Sequence, residues 1–157
     1  MSLLAAATDK GADPKAALVA MREISGVGGR YAWHDVGRHR VRLLLAKNPA
    51  GWLELLDLVR DSDTPMVLAF NSEGVDGRDP SWLYDVPFEA LSGRQIAVVG
   101  RRATDMQVRL EMSGVPSTRM SGGVLDAVAT LPEGPVDVLA NYTAFQSARG
   151  EIARARQ

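Results

Sequence analysis

The pattern of apolar runs predicts an α/β fold, a Rossmann-like three-layer sandwich with a mostly parallel sheet and an antiparallel hairpin at its amino-terminal side. Three observations carry the prediction. Pro65–Phe70, Gln95–Val99 and Val136–Ala140 are short, continuous apolar runs, the pattern of strands buried on both faces. Segments of helical period follow or separate them, as in a doubly covered parallel sheet. Tyr31–Val36 and Arg40–Ala46 flank Gly37-Arg38 at the spacing of a hairpin. A chain of 157 residues is long enough for one such domain with its own core.

Residues 3–8 and 14–24 read as helical, with Asp13 as a capping side chain and Pro14 in the first turn. Ala17, Leu18, Met21 and Ile24 recur there at helical spacing. Ser25-Gly26-Val27-Gly28-Gly29 breaks that period and reads as a hinge. The expected organisation is therefore a helical leader, residues 1–25, and a main domain, residues 26–157. In the main domain Asn48 caps a helix over Pro49–Arg60 that turns Trp52, Leu55, Leu56 and Val59 to one side. Asp79–Asp85 and Phe88–Leu91 read as short helical turns. Thr104–Met112 is a helix closed by Gly114, Ser117–Met120 a short strand, and Val124–Leu131 a helix ended by Pro132. Thr143–Arg156 is the final helix. No internal repeat or low-complexity segment interrupts this order.

Composition excludes several function classes. The formal net charge is −1, so no global field draws in nucleic acid or an anionic membrane. Lys10, Lys15 and Lys47 are the only lysines; arginine, the better bidentate partner, carries the rest of the positive charge. The absence of cysteine removes disulfides, thiolate metal sites and any thiol nucleophile. No apolar run approaches the ~20 residues needed to span a bilayer. Met1-Ser2-Leu3-Leu4 lacks the pattern of a signal peptide and reads as a boundary inside a longer protein, expected in the cytoplasm.

Open α/β sheets build their sites in loops at the carboxyl ends of strands. Two segments occupy such places. Lys47-Asn48-Pro49 starts a helix, where backbone N–H groups can face an anion or be simply capped. Asp76, Asp79 and Asp85 follow the strand that ends near Asn71, where carboxylates can orient a histidine, accept a proton, hold a divalent metal, or serve as turn residues. Gly26-Val27-Gly28-Gly29-Arg30 fits no dinucleotide fingerprint, and no Walker phosphate loop occurs. Ser121-Gly122-Gly123 is an anion-nest candidate whose simpler reading is a turn. His34 and His39 lie on the hairpin without ligand spacing and read as exposed. Trp33, Trp52 and Trp82 read as packing residues.

Gly29-Arg30, Val41–Trp52, Asp76–Asp85, Gly100-Arg101-Arg102-Ala103, Asp105-Met106 and Tyr142-Thr143-Ala144 together resemble the C-terminal domain of MurT. MurT is the Mur-ligase-like subunit of lipid II isoglutaminyl synthase. The resemblance runs from about Ala16 to Arg149. It implies a part in amidating the α-carboxyl of D-glutamate in lipid II, with ATP and Mg²⁺ held mainly by an upstream domain. It implies a GatD-type glutaminase partner carrying its own cysteine and histidine. Asp76 aligns with the aspartate that completes that partner's triad, and Asp79, about one turn on, is the reserve. A triad acid orients the histidine and stabilises its cation without taking the proton. Arg30 matches the nucleotide-facing arginine of Mur ligases, and Lys47 and Asn48 stand where those enzymes have His-Asn. The glutamate usual after Gly-Arg is replaced here by Tyr31-Ala32-Trp33. Two other readings stand beside this one: a non-catalytic binding or scaffold domain, and the C-terminal domain of an ordinary Mur or folylpolyglutamate ligase. The fragment alone is expected to be inactive.

Overall fold

The computed structural model describes residues 9–17, 31–72 and 79–156. The residues expected to form the hinge, together with Arg30 and Asp76, lie outside them. Two compact units divide the chain, Met1–Ala32 and Trp33–Gln157. In the first, the turn over residues 14–17 is helical, and Asp13 Oδ2 accepts the Ala16 N–H at 2.9 Å, the expected cap.

The described strands are β1 (Tyr31–Val36), β2 (His39–Leu45), β3 (Met66–Ala69), β4 (Ile96–Val99), β5 (Thr118–Arg119) and β6 (Gly134–Ala140). They form one sheet in the order β1-β2-β6-β3-β4-β5. The hairpin turns at Gly37-Arg38, and every other pairing is parallel. The last strand, β6, inserts between β2 and β3, with His39 opposite Gly134 and Leu45 opposite Ala140. The described helices are α1 (Pro49–Val59), α2 (Ala103–Met112), α3 (Val124–Val128) and α4 (Tyr142–Ala155). Two 3-10 segments, Ser81–Asp85 and Phe88–Leu91, replace a helix between β3 and β4. The sequence expectation of a mostly parallel α/β sandwich with an antiparallel leading hairpin holds.

Side chains alternate across the strands, and in the central strands β3 and β4 both sets are buried. Val41, Leu43, Val67, Ala69, Val136 and Val138 pack with Val124, Val128, Phe145 and Ile152 of α3 and α4. Leu44, Met66, Leu68 and Leu139 face the other way, into the layer of α1, α2 and the 3-10 segments. There Trp52 meets Phe88 edge-on at 5.6 Å. The chain thus leaves the neighbouring strands β2 and β6 toward opposite faces, which opens a crevice at their carboxyl ends.

Three arginines hold this frame. Asp137 of β6 is fully buried and receives a bidentate ion pair from Arg42, directly opposite it on β2, with both contacts at 2.7 Å. A buried carboxylate is tolerable only with such a partner. Arg109 of α2 donates to the carbonyls of Leu83 (3.0 Å) and Val86 (2.7 Å), binding the 3-10 segments to the helix. Arg94 donates to the carbonyls of Val59 and Arg60 at the end of α1, where Val59 also accepts the Ser62 amide.

Three local expectations change. α3 stops at Val128 rather than Leu131, because the Thr130 and Leu131 amides bond back to Ala127 and Val128 in tighter turns ahead of Pro132. The histidines are half-buried rather than exposed. His39 Nε2 lies 3.1 Å from the Leu131 carbonyl, while burial and the nearby Arg156 and Arg149 hold His34 below its ordinary pKa against the opposing pull of Asp35. Trp33 is 41% exposed and lies against the guanidinium groups of Arg40 and Arg42, at 4.9 and 5.3 Å from its ring centre. It is a cover for the Arg42–Asp137 pair rather than a core residue.

Candidate functional site

The carboxyl rim of the sheet gathers the described candidate residues. At the end of β2 the Ala46 amide still bonds to the Ala140 carbonyl, and then the chain turns into α1. Asn48 is extended (φ −148°), and its Oδ1 accepts the Gly51 N–H at 2.9 Å. Pro49, at the first helical position, has no amide to leave unpaired. Asn48 therefore offers a ligand only its side-chain NH₂ donors. Lys47 is exposed, and its ammonium lies 5.2 Å from the ring centre of Tyr142, the first residue of α4. A lysine and an exposed aromatic ring thus face each other across the β2–β6 crevice. That combination fits an anionic or aromatic ligand group. Tyr142 was marked in the sequence only as part of the Tyr142-Thr143-Ala144 segment of the resemblance, with no role attached.

The next exit, from β3, is stitched to its neighbours. Phe70 N bonds to the Val99 carbonyl, and Arg102 N to the Phe70 carbonyl. Asn71 N donates to Asn141 Oδ1 (3.2 Å), and Asn71 Oδ1 accepts from Arg101 N (3.0 Å). Asn141 also caps α4 by accepting from Ala144 N at 3.3 Å. Gly100 has φ +109°, and a Cβ there would sit 2.5 Å from the Phe70 carbonyl oxygen. Ser72 then takes a left-handed backbone, φ +48°.

Asp79 stands at the far end of the acidic loop, exposed, with Oδ1 accepting the Ser81 N–H at 2.9 Å. That bond, reinforced by the Ser81 side chain, holds its carboxyl below the usual range against a small opposing effect of burial. Trp82 anchors the following turn edge-on against Phe70 at 5.7 Å. Asp79 lines a groove of about 260 Å³ with Ser81, Tyr84, Thr104, Asp105 and Val108. Neither Lys47 nor Asn48 lines it, so the two described groups of candidates belong to separate places on the rim. Asp85 is exposed at the end of the first 3-10 segment.

A second groove, about 420 Å³, lies beyond β3, β4 and β5 and is lined by Asn71, Arg101, Arg119, Ser121, Ser147 and Glu151. The glycine turn beside it is no anion nest. Asp126 accepts the Gly123 N–H (2.8 Å) and Glu151 of α4 the Leu125 N–H (3.0 Å), so carboxylates already fill the place of an anion. Among the described residues no group of three or more His, Asp or Glu side chains could hold a metal ion, so the described rim supplies no ligand set for Mg²⁺. Among the same residues no helix is long and apolar enough to cross a membrane.

A parallel sheet with its last strand inserted, helices on both faces and a polar carboxyl rim is the architecture of Mur ligase C-terminal domains. UDP-N-acetylmuramate-alanine ligase MurC from Thermotoga maritima superposes with a TM-score of 0.64 at 19% identity, over 98% of this chain and 36% of that one. MurF from Acinetobacter baumannii gives 0.61 at 13% identity, over 96% and 35%. The MurT ligase C-terminal family matches residues 45–145, and this chain belongs to it. The Lipid II isoglutaminyl synthase (glutamine-hydrolyzing) subunit MurT of Staphylococcus aureus (strain COL) is 38% identical over 92 residues, 55% of this chain and 21% of that protein. The subunit of the same name from Streptococcus pneumoniae (strain ATCC BAA-255 / R6) is 26% identical over 167 aligned positions, 100% of this chain and 37% of its own length. The chain thus spans well under half of each of these two relatives.

Proposed function

We propose that this chain is the C-terminal domain of a ligase subunit that works with a glutaminase to amidate the D-glutamate α-carboxyl of lipid II, using ATP. The observation that carries the reading is the family match over residues 45–145. In this reading the domain has two working places. Arg30, Lys47 and Asn48 face the nucleotide held by an upstream domain. The Lys47 ammonium, exposed beside Tyr142, suits phosphate oxygens, and the NH₂ of Asn48 supplies neutral donors. ATP, with its Mg²⁺, supplies the activation of the carboxyl; the residues of this chain orient and neutralise. The boundary near residue 26 serves as the hinge to the upstream domain, in the cytoplasm.

The second place is the acidic loop. Asp76, with Asp79 in reserve, presents a carboxylate to the catalytic histidine of a GatD-type partner. A lone carboxylate can act across a subunit boundary because its task is to fix the imidazole tautomer and stabilise the cation. The exposure and ionisation of Asp79 suit a carboxylate at this end of the loop.

The test is glutamine hydrolysis by the full subunit copurified with its glutaminase. Asp76→Asn is expected to lower kcat by about 10²-fold or more with the complex intact. Loss in Asp79→Asn instead moves the role to the reserve residue. Normal turnover in both variants rejects the shared triad. Arg30→Ala, in the same preparation, lowers ATP use and spares glutamine hydrolysis; equal loss of both rejects the two separate places.

A further inference from the structure

The side chains of Asn71 and Asn141 perform a task that none of the candidate residues performs. Past the last paired residues of β3, β4 and β6 the Phe70, Asn141 and Arg102 amides still find main-chain acceptors, but the Asn71 and Arg101 amides take side-chain ones. Two side-chain oxygens supply them in series. Asn141 Oδ1, beyond β6, takes the Asn71 amide beyond β3, and Asn71 Oδ1 takes the Arg101 amide beyond β4. Close packing locks the series. The space a Cβ of Gly100 would need is filled by the Phe70 carbonyl oxygen (2.5 Å) and Asn71 Oδ1 (2.8 Å). The very next residue, Ser72, turns left-handed and sends the chain into the acidic loop. The loop's return is independently held, by the Asp79–Ser81 bond, by Trp82 on Phe70, and by Arg109 on the Leu83 and Val86 carbonyls. Entry and return converge on Phe70, which is fully buried.

We propose that Asn71 and Asn141 are positioning residues for glutamine hydrolysis: their side-chain oxygens, bonded in series to the ends of three strands, set the path on which the chain leaves β3 for the acidic loop. The inference rests on the triad role proposed above for that loop. Neither residue touches the reacting atoms. A carboxylate that must meet an imidazole of another polypeptide needs its loop held to within about 1 Å, since misplacement on that scale costs up to ~10²-fold in rate. Asn141 also joins the two places on the rim, because it precedes Tyr142, the residue against Lys47.

The experiment uses the full subunit in complex with its glutaminase. Asn71 caps none of the described helices, so Asn71→Ala removes the link to the Arg101 amide without uncapping one, and Asn71→Asp keeps an acceptor. Asn141→Ser keeps a good cap for α4 but shortens the reach toward Asn71. Asn71→Ala and Asn141→Ser are expected to lower kcat for glutamine hydrolysis about tenfold, with glutamine KM unchanged and the complex intact; Asn71→Asp recovers most of the rate. A wild-type kcat in Asn71→Ala and Asn141→Ser, with only the melting temperature lowered, overturns the inference, as does an Asn71→Asp variant as slow as the alanine one. If neither Asp76→Asn nor Asp79→Asn slows hydrolysis, the triad role fails by itself. Hydrogen exchange of the whole subunit then decides for the asparagines. Asn141→Ser must speed exchange of both Asn71 and, one bond further along the series, Arg101; protection of Arg101 at the wild-type level overturns the series.

Discussion

Asn48 and Asn141 each follow the end of one of two neighbouring strands, and each caps the helix that comes next. Asn48 spends its side-chain oxygen on Gly51, three residues away, and stops there. Asn141 divides its oxygen between Ala144 of its own helix and Asn71, seventy residues distant in the chain. The first exit is a local device at the surface. The second is one thread of a seam across three strands. Identical residues in matching places therefore differ in reach, and reach decides what a substitution disturbs.

The contrast can be broken most severely at the seam. Gly100→Ala places a methyl against the Phe70 carbonyl oxygen in a backbone region that L-residues avoid. We expect a loss of about 3 kcal/mol or more in unfolding free energy, measured by denaturant titration; a loss below about 1 kcal/mol would show that the seam yields easily. At the local exit the effects are smaller. Asn48→Ala costs about 1 kcal/mol, the ordinary value of an amino-terminal cap, with Arg101 amide exchange untouched. A disturbance of Arg101 there would join the two exits after all. The smallest effect has the opposite sign. A Cβ on Gly51 meets Ala46 Cα and Asn48 Oδ1 at an ordinary 3.5 Å. Gly51→Ala should raise stability by about 0.5 kcal/mol through helix propensity, and thermal unfolding beside Gly100→Ala checks that the two glycines behave oppositely.

Local chemistry was legible in the sequence wherever a residue acts within a few positions of itself. The Asn48-Pro49 start of α1, its Trp52, Leu55, Leu56 and Val59 face, and the short apolar strands appear as expected. The parallel sheet was legible because runs such as Ala69's and Val99's are apolar on both faces. The insertion of β6 between β2 and β3 had no local signal, since any of the apolar strands could occupy the centre. The partner of Asp137 was equally hidden. A lone aspartate in an apolar run becomes intelligible only when the register places Arg42 opposite it. Asn71 and Asn141 carried no signal for the same reason: they sit two residues past β3 and one past β6, much as Asn48 sits three past β2, but their bonds join positions thirty and seventy residues apart. Of the candidate site, Lys47, Asn48 and Asp79 lie on the carboxyl rim as their loops required. The Lys47–Tyr142 pairing depends on β6 lying beside β2 and follows from topology alone.

The short strand β5 has a consequence for assembly. It contributes two residues, both exposed, and one of them is Arg119. A margin so brief and so cationic offers a foreign strand almost nothing to zip onto. Copies of this chain are thus discouraged from joining sheet to sheet through this edge, and association there is left to side chains and loops, where recognition can be selective.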